Sequence, residues 1–292
     1  ELGFNRISIG VQDLDPEVQR AINRMQTLEQ TRTIIEAART LQYHSLSIDL
    51  IYGLPLQTPA RFARTVEAII DLQPDRLSVF NYAHLPERFM PQRRINSQDL
   101  PSPAEKLQML QRTIEQLTAA GYRYIGMDHF AKPDDELAIA QKEGNLHRNF
   151  QGYTADTAPI LIGLGASSIS RFPQGYAQNA SGTADHTRAI RDGHFSTHRG
   201  HIFAGEDKMR GRIIEALMSD FHVSRAEILR DYDVTAERLD GLLLAAASAF
   251  DGMVTLDDSG LTIPQIGRPL TRMVARMFDA YDHGKAKHSA AV

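Results

Sequence analysis

Cysteine is absent from the 292 residues of this chain. That absence excludes disulfides, zinc ribbons, thiol nucleophiles and any iron–sulfur cluster that the chain's own cysteines would hold. No apolar run approaches the ~20 residues that span a bilayer. The formal net charge of −4 gives no strong field toward nucleic acid or an anionic membrane. We therefore expect a cytoplasmic protein without a membrane or nucleic-acid partner.

The remaining composition is that of an ordinary globular protein, with 42% hydrophobic and 23% charged residues. The length allows a large core and two domains. No signal peptide is evident, because Glu1 leads almost directly into a β-rich segment. A parallel sheet whose first strand begins at Phe4 would have an edge strand with unpaired backbone groups. We therefore expect the N-terminal part of the protein to be missing.

The most informative segment is 47–55, which combines an apolar β pattern with one carboxylate, Asp49, and then breaks at Gly53 and Pro55. A charge inside an apolar run costs several kcal/mol unless something pairs with it. One interpretation is a ligand at the end of this strand. The other is an Asp that caps the next loop or binds a neighbouring Arg.

Strand and helix patterns alternate along the first third of the chain, which predicts parallel βαβ units. The predicted strands cover 4–13, 47–52 and 75–84, and the predicted helices cover 29–41 and 59–72. Ligands of such folds bind at the carboxyl ends of the strands. We therefore expect Gln12, Asp49 and Ala83 to line one pocket.

The middle of the chain continues this pattern less regularly. We predict a long loop over 85–103, a helix capped by Ser102 that ends at Ala120, a strand over 122–130, a polar aromatic loop over 144–156, and a strand and turn over 160–170. The last segment is rich in small residues, which suits a close approach of backbone to a ligand or to another strand.

From about Gly205 the pattern becomes helical. Two helical apolar stripes and a short helix over 225–232 precede a hairpin over 252–263, and a last helix is predicted over 268–281. This order resembles a winged-helix module without a basic recognition helix, so we expect a packing domain. We predict three segments: an α/β part over 1–204, a helical domain over 205–284 and a disordered tail over 285–292.

Most catalytic motifs are missing. No Gly-x-Ser-x-Gly elbow or Walker sequence occurs, and Gly163-Leu164-Gly165 is too short for a dinucleotide fingerprint. His194, His198 and His201 cluster with few carboxylates, so we expect no metal site in this chain.

Three polar side chains near predicted strand ends carry a more specific signal. An Asp such as Asp49 suits a ribose diol, and Gln12 can donate and accept beside it. Arg24 suits a carboxylate through its bidentate fork. A ligand with both a ribose diol and a carboxylate would suit all three side chains, and a nucleoside that carries an amino acid is such a ligand.

Five strings resemble a known family, the oxygen-independent coproporphyrinogen III oxidases, which are radical S-adenosylmethionine enzymes of haem biosynthesis. The resemblance covers nearly the whole chain. The strings are Gly10–Asp13, Ile48–Pro55, Ser78–His84, Gly126–Ala131 and His147–Thr154. The last two are the more specific to these oxidases. The resemblance implies the C-terminal portion of a partial (β/α) radical-SAM-type barrel, followed by the small helical, winged-helix-like domain.

The resemblance also implies the chemistry. In the family a [4Fe–4S] cluster reduces S-adenosylmethionine to a 5′-deoxyadenosyl radical, which takes hydrogen from the β-carbon of a substrate propionate. Loss of carbon dioxide and one electron leaves a vinyl group, and two such steps give protoporphyrinogen IX. By resemblance, Gln12 and Asp49 hold an S-adenosylmethionine ribose, Arg24 holds a methionine carboxylate, and Ala83 and Ile169 contact the adenosine region.

The implied partners are coproporphyrinogen III as substrate and an electron donor, and we expect a monomer. Arg88, Arg93, Arg94 and Arg148 are candidates to bind the substrate carboxylates.

The chain departs from the family in two places. The cluster cysteines of the family, in a Cys-x-x-x-Cys-x-x-Cys motif, lie upstream of every matched string, so we expect this chain alone to be inactive. Gly211 interrupts a pair of arginines that the family usually has, which concerns the local helix start and packing more than the chemistry.

Two alternatives stay open. One is a non-catalytic haem or porphyrin carrier related to the oxidase. Such relatives typically have a Tyr-Trp pair in the aromatic loop, whereas this chain has no Trp and keeps the sequence 149–153. The other is a soluble α/β domain in which Asp49 is merely paired.

Overall fold

The structure, a computed structural model, describes residues 3–281, which form two compact units. Of these residues, the first unit contains 3–142, 263–273 and 281, and the second contains 143–262 and 274–280. The second unit groups 143–204 with the helical segment because, for example, the Tyr153 hydroxyl donates to the Met218 carbonyl at 2.7 Å. These units differ from the predicted division at 204/205. That division stays a prediction for folding domains, and the predicted tail over 285–292 lies outside the described residues.

The first unit is an α/β structure, as predicted. Its strands and helices, in chain order, are β1 Arg6–Gln12, α1 Pro16–Ala21, α2 Leu28–Thr40, β2 Ser45–Tyr52, α3 Pro59–Asp71, β3 Arg76–Asn81, α4 Pro103–Ala119, β4 Arg123–Gly126, β5 His129–Ala131 and α5 Glu136–Glu143. Short 3₁₀ turns cover Met90–Arg94 and Ser97–Asp99 inside the predicted long loop.

The sheet has the order β1-β2-β3-β5-β4. β1, β2 and β3 are parallel, as the βαβ pattern predicts, whereas β5 is antiparallel to both β3 and β4. One face of the parallel strands is apolar and fully buried: Ile48, Leu50, Leu77 and Val79 have no exposed surface. The carboxyl ends of the three parallel strands therefore share one edge.

The helix boundaries follow from their caps. Thr27 and Ser102 form capping boxes at the starts of α2 and α4, and Thr58 accepts from the Arg61 N–H at the start of α3. Pro59 and Pro103 occupy the first turn, where a missing N–H is tolerated. The predicted helices of this part of the chain are thus confirmed within one or two residues.

The single strand predicted over 122–130 is wrong. The segment forms two short antiparallel strands, β4 and β5, because Gly126 and Met127 both adopt positive φ and reverse the chain. The Asp128 carbonyl then accepts from the Val79 N–H at 2.7 Å, which fixes the turn beside the end of β3.

The second unit combines small antiparallel sheets with helices. Its elements are β6 His147–Asn149, β7 Gly152–Thr154, β8 Ile169–Phe172, β9 Gly175–Asn179, α6 Thr183–Arg191, β10 Thr197–Ile202, α7 Asp207–Asp220, β11 His222–Ser224, α8 Arg225–Asp231, α9 Ala236–Ala249, β12 Thr255–Asp257 and β13 Gly260–Thr262. The sheet orders are β6-β7, β10-β9-β8 and β11-β13-β12. The hairpin predicted over 252–263 is confirmed. The aromatic loop is a hairpin instead. The strand predicted over 160–170 is wrong for most of its length, because Leu161 forms only an isolated bridge with Arg171 and β8 begins at Ile169.

Two local predictions have clear outcomes. Helix α7 runs through Gly211 without interruption, and its stripe of Met209, Ile213, Leu217 and Phe221 is buried as predicted. The last helix is shorter than predicted. Pro269 lies in a 3₁₀ turn over Gln265–Leu270, and the α-helix, α10, covers only Thr271–Arg276.

No helix among residues 3–281 is long and apolar enough to cross a membrane.

Glu206 supplies a pH test of the second unit. Hydrogen bonds from Arg238 and Arg210 lower the pKa of its carboxyl from 4.5 to about 2. A lowered pKa stabilises the fold above pH 4.5, and this contribution disappears as the pH falls toward 2. We expect Glu206→Gln to reduce the free energy of unfolding at pH 7, with the difference from wild type shrinking between pH 4.5 and 2. Urea unfolding over a pH series measures this.

Glu237→Gln is the matched control, because Glu237 is exposed on α9 and forms no ion pair within the described residues. A difference between Glu206→Gln and wild type that stays constant down to pH 2 would contradict the assignment.

Candidate functional site

Asp49 lies on the open face of the sheet and not in the apolar core, which corrects the burial expected from sequence. Strand alternation places Leu46, Ile48 and Leu50 on the buried face and Asp49 on the opposite one. The Ser8 hydroxyl donates to Asp49 Oδ2 at 3.0 Å. Asp49 forms no ion pair with any residue in 3–281, so the interpretation of a carboxylate merely paired with an Arg is wrong.

Gln12 reaches the same face through a distortion at the end of β1. The register with β2 shifts between Gly10, which pairs with Asp49, and Gln12, which pairs with Leu50. Gln12 also has a φ of 68°, a left-handed conformation that is unfavourable for a residue with a Cβ. The bulge and this φ bring the Gln12 amide over Gly10. Strained backbone of this kind is concentrated at functional sites.

Arg24 lies over the same glycine. Its Nη2 donates to the Gly10 carbonyl at 2.5 Å, which uses one of its five N–H donors. A Cβ on Gly10 would lie 2.7 Å from Gln12 Nε2 and 3.2 Å from Arg24 Nη2. Gly10 is therefore the residue that lets Gln12 and Arg24 meet beside Asp49.

Asp13 anchors this arrangement from inside the unit. Its carboxylate is fully buried and accepts from Thr65 Oγ1 and from the Asp15 N–H, each at 2.7 Å, and from Gln57 Nε2. Burial raises the pKa of the Asp13 carboxyl, and the three hydrogen bonds oppose that rise. Gln57 also donates to the Ile51 carbonyl at 2.9 Å, so Asp13 connects the ends of β1 and β2.

The loop that carries Arg24 is fixed to the same point. The Arg24 N–H donates to the Gln19 carbonyl at 2.9 Å. The Gln19 amide, which is buried, donates to the Asp13 carbonyl at 2.8 Å and to the Gln26 carbonyl at 2.6 Å. The backbone on both sides of Arg24 is thereby held at the end of β1.

Ala83 follows the end of β3 by two residues, and its carbonyl accepts from Gln92 Nε2 at 3.0 Å. Ala83 therefore lies at the same edge of the sheet as Gln12. Arg93 and Arg94 are exposed on the neighbouring 3₁₀ segment, and Arg88 is exposed in the turn before it. Arg88 lies 5.5 Å from the ring centroid of Phe89, and Arg93 donates to the Pro86 carbonyl at 3.1 Å.

Ile169 and Arg148 belong to the second unit. Ile169 begins β8, and a Cβ on Gly163 would lie 2.9 Å from its backbone, which confirms the close approach predicted for the segment 160–170. The Arg148 guanidinium lies 5.5 Å from the ring centroid of Tyr153. The structure thus brings together Gln12, Arg24 and Asp49 within one unit.

The histidines within residues 3–281 belong to no group of three potential metal ligands. No group of three or more potential His, Cys, Asp or Glu ligands occurs within the described part of the chain. His201 Nε2 lies 3.1 Å from Asp207 Oδ2, and His147 Nδ1 lies 3.3 Å from Glu215 Oε1. The cluster of His194, His198 and His201 is therefore no metal site within these residues.

The donor set can bind a zwitterionic nucleoside. A carboxylate accepts from two neighbouring hydroxyls, an amide adds a donor and an acceptor, and a guanidinium takes a carboxylate. Sequence reasoning missed Ser8, Gly10 and Asp13, which position these groups. Asp13 directly follows Gln12 in the sequence, but only its complete burial distinguishes it from an ordinary cap.

The first 69 residues match the family model of the Radical SAM superfamily. That match covers α1 to α3 and therefore all of Gln12, Arg24 and Asp49. This comparison names the class of protein to which the parallel strands and the polar residues at their carboxyl ends belong. That class is the Radical SAM superfamily.

The relatives are more specific. The chain is 56% identical over 283 residues to an oxygen-independent coproporphyrinogen III oxidase of Pseudomonas aeruginosa and 52% identical over 292 residues to that of Paracoccus denitrificans. These alignments cover 96% and 100% of the chain, and 62% and 65% of the relatives. The structure of coproporphyrinogen III oxidase (HemN) from Escherichia coli, described as a Radical SAM enzyme, matches with a TM-score of 0.90 at 45% identity, over 96% of this chain and 65% of that one.

The resemblance inferred from the sequence is confirmed. The chain is a homologue of oxygen-independent coproporphyrinogen III oxidases, and it spans less than two thirds of the length of these relatives.

Asp13→Asn tests the anchor. An amide has one acceptor oxygen, so its NH₂ group would face either the Gln57 amide or the donors from Thr65 and Asp15, and at least one buried hydrogen bond would be lost. We expect the free energy of unfolding to fall by about 1–3 kcal/mol, measured by urea denaturation. Asp71→Asn, at an exposed position on the last turn of α3, should change it by less than about 0.5 kcal/mol. Equal effects of the two substitutions would contradict the anchoring role.

Proposed function

We propose that this chain is the S-adenosylmethionine-binding and substrate-binding part of an oxygen-independent coproporphyrinogen III oxidase. The reaction is the oxidative decarboxylation of two propionate side chains of coproporphyrinogen III to vinyl groups, which gives protoporphyrinogen IX. The main observation behind the proposal is that Gln12, Arg24 and Asp49 lie close together around Gly10. The chain that contains them is 56% identical to such an oxidase.

The residues fit S-adenosylmethionine by donor and acceptor type. Asp49 and Gln12 would hold its ribose hydroxyls, and Arg24 its methionine carboxylate. Ala83, at the same strand edge, and Ile169 would contact the adenosine region. When bound, S-adenosylmethionine supplies the 5′-deoxyadenosyl radical that removes a hydrogen atom from the propionate β-carbon. The chain's own residues orient the nucleoside, because Ser8 donates to Asp49 and the Gly10 carbonyl accepts from Arg24 before binding. Asp13 and Gln19 hold the backbone that carries Gln12 and Arg24.

The residues do not fit a [4Fe–4S] cluster. The chain has no cysteine, and no alternative group of three ligands occurs among residues 3–281. We propose that upstream cysteines of the parent protein hold the cluster, and that this chain alone does not turn over substrate.

We also propose how the two units correspond to the parent fold. The parallel strands β1, β2 and β3 with helices α2 and α3 would be the later strands of a partial radical-SAM-type barrel. The order of α7, β11, α8, α9, β12 and β13 is that of a winged-helix module. Helix α9 carries Glu237 and Asp240 beside Arg238, which argues against DNA binding.

The remaining proposals concern partners. Coproporphyrinogen III would be the substrate, an external donor would reduce the cluster, and the protein would act as a cytoplasmic monomer. Arg88, Arg93, Arg94 and Arg148 stay candidates for the substrate carboxylates. Of these, Arg148 has a buried Nε without a hydrogen-bond partner within 3–281, which favours a role in binding.

The decisive experiment uses the gene extended upstream, with the protein purified and reconstituted anaerobically with iron and sulfide. S-adenosylmethionine, a reductant and coproporphyrinogen III are added, and 5′-deoxyadenosine and the divinyl product are measured. We expect both products, and we expect Asp49→Ala to reduce both by at least tenfold, because the ribose loses its acceptor. Porphyrin or haem binding without decarboxylation would replace the proposal with that of a carrier.

Gly10→Ala tests the geometry of the site, and we expect it to have little effect on the stability of the fold. The new methyl group would displace only the flexible ends of Gln12 and Arg24. We expect the melting temperature to change little and the affinity for S-adenosylmethionine, measured by calorimetry on the reconstituted protein, to fall about 10-fold or more.

Gly211→Ala is the matched control. A Cβ at Gly211 meets nothing within 4 Å, and Ala is favoured over Gly within a helix by about 0.5–1 kcal/mol. This variant should be slightly more stable and bind S-adenosylmethionine as wild type does. Unchanged affinity in Gly10→Ala would contradict the roles of Gln12 and Arg24.

A further inference from the structure

We infer that a cavity at the carboxyl edge of the first unit, between the end of β3 and the segment 268–272, binds one propionate-type carboxylate arm of the porphyrinogen substrate. This inference rests on the proposed function and adds to it a substrate subsite that sequence reasoning did not identify. The cavity is named the edge pocket, and its polar lining is Tyr52, Asn81, Asp128, Arg268, Thr271 and Arg272.

The fold places the edge pocket beside the strand ends that carry the proposed nucleoside site. Tyr52 ends β2 and pairs with Asn81, which ends β3. The turn with Met127 and Asp128 is held there by the hydrogen bond from the Val79 N–H. Parallel α/β folds bind their ligands at this edge. Tyr52 alternates in step with Ile48 and Leu50, so the pocket lies at this carboxyl edge on the helix-covered face of the sheet, and a substrate arm would enter it across the strand ends.

The charge of the pocket favours a single negative charge. Arg268 and Arg272 supply two guanidinium groups against one carboxylate, Asp128. Arg272 is exposed and forms no ion pair within the described residues. Arg268 is half-buried, and burial lowers the pKa of its guanidinium. A net charge of one positive unit suits a carboxylate better than a phosphate dianion.

Uncharged groups in the pocket add further hydrogen bonds. Burial raises the pKa of the Tyr52 hydroxyl, so this group stays protonated and can donate. The Asn81 amide has a buried Oδ1 without a hydrogen-bond partner among residues 3–281. A half-turn of that amide exchanges its oxygen and nitrogen, and the NH₂ group then donates to an anion. Asn81 is half-buried and lines the pocket, so its NH₂ group can donate to an anion bound there.

The size and walls of the pocket restrict the ligand further. The cavity volume is about 180 Å³, below the 300–1,000 Å³ typical of pockets that enclose a whole drug-sized ligand. Phe80, Leu110, Met127 and Pro269 provide apolar walls. The pocket therefore suits a charged head on a short aliphatic stem, which is the chemistry of a propionate arm, and the ring that carries the arm would stay outside.

The test measures binding of coproporphyrin III, the stable oxidised form of the substrate, to the full-length reconstituted protein by fluorescence quenching. Its tetramethyl ester has the same ring without the charges. We expect Arg272→Gln to weaken binding of the acid about tenfold and to leave binding of the ester unchanged. Because Arg272 is exposed, the substitution should not perturb folding, and Arg272→Lys should retain part of the affinity.

Arg276→Gln is the control, since Arg276 is exposed on the same helix and does not line the pocket. Equal acid affinity in Arg272→Gln and wild type, or equal losses for acid and ester, would overturn the inference. A loss of S-adenosylmethionine affinity without a loss of porphyrin affinity would also overturn it, because the occupant would then be the methionine carboxylate. Selective loss of acid binding in a protein that makes no divinyl product would support the pocket and overturn the proposed oxidase activity.

Discussion

A fully buried carboxylate, Asp13, is the interaction on which the candidate site depends. An uncompensated buried charge would cost several kcal/mol, and here a hydroxyl, a backbone N–H and an amide N–H offset that cost. Each donor comes from a different segment: Thr65 from α3, Asp15 from the cap of α1, and Gln57 from the loop after β2. Satisfying one charge therefore fixes the relative positions of three segments. Buried polar networks specify such unique arrangements when all members are paired.

Strand alternation in the first unit places the residues that stabilise the core on one face of the sheet and the residues of the candidate site on the other. Alternate residues of β2, such as Ile48 and Leu50, are completely buried, while Asp49 between them lies on the other face. The polar residues of the site are thus displayed without unpaired charges in the core. The distortion at Gln12 breaks this regularity at one point, and it is there that three polar side chains meet around one glycine.

Our proposal divides a radical reaction between this chain and the rest of the parent protein. The groups suited to S-adenosylmethionine lie within the first 69 residues, which match the superfamily model, whereas no cluster ligand occurs in a chain without cysteine. The relatives are longer, since the chain spans 62–65% of their length. In our proposal, the nucleoside site and a carboxylate pocket are built at one sheet edge, and the cluster that an external donor reduces is held by the rest of the parent protein.

Sequence alone determined the parallel βαβ start of the chain and the start of α4, because hydrophobic periodicity and a capping residue such as Ser102 are local signals. It also determined the candidate roles of Gln12, Arg24 and Asp49, because side-chain chemistry is fixed by residue type. Tertiary structure decided the rest.

Alternation along β2 puts Asp49 opposite Ile48 and Leu50, but only the packing of helices on one face of the sheet decides which face is open. The hairpin in the segment 122–130 depends on positive φ at Gly126 and Met127. The edge pocket joins Asn81 to Arg272, which lie 191 positions apart in the chain. Contacts at such separation are set by packing of the whole unit, and this is why only the folded chain shows them.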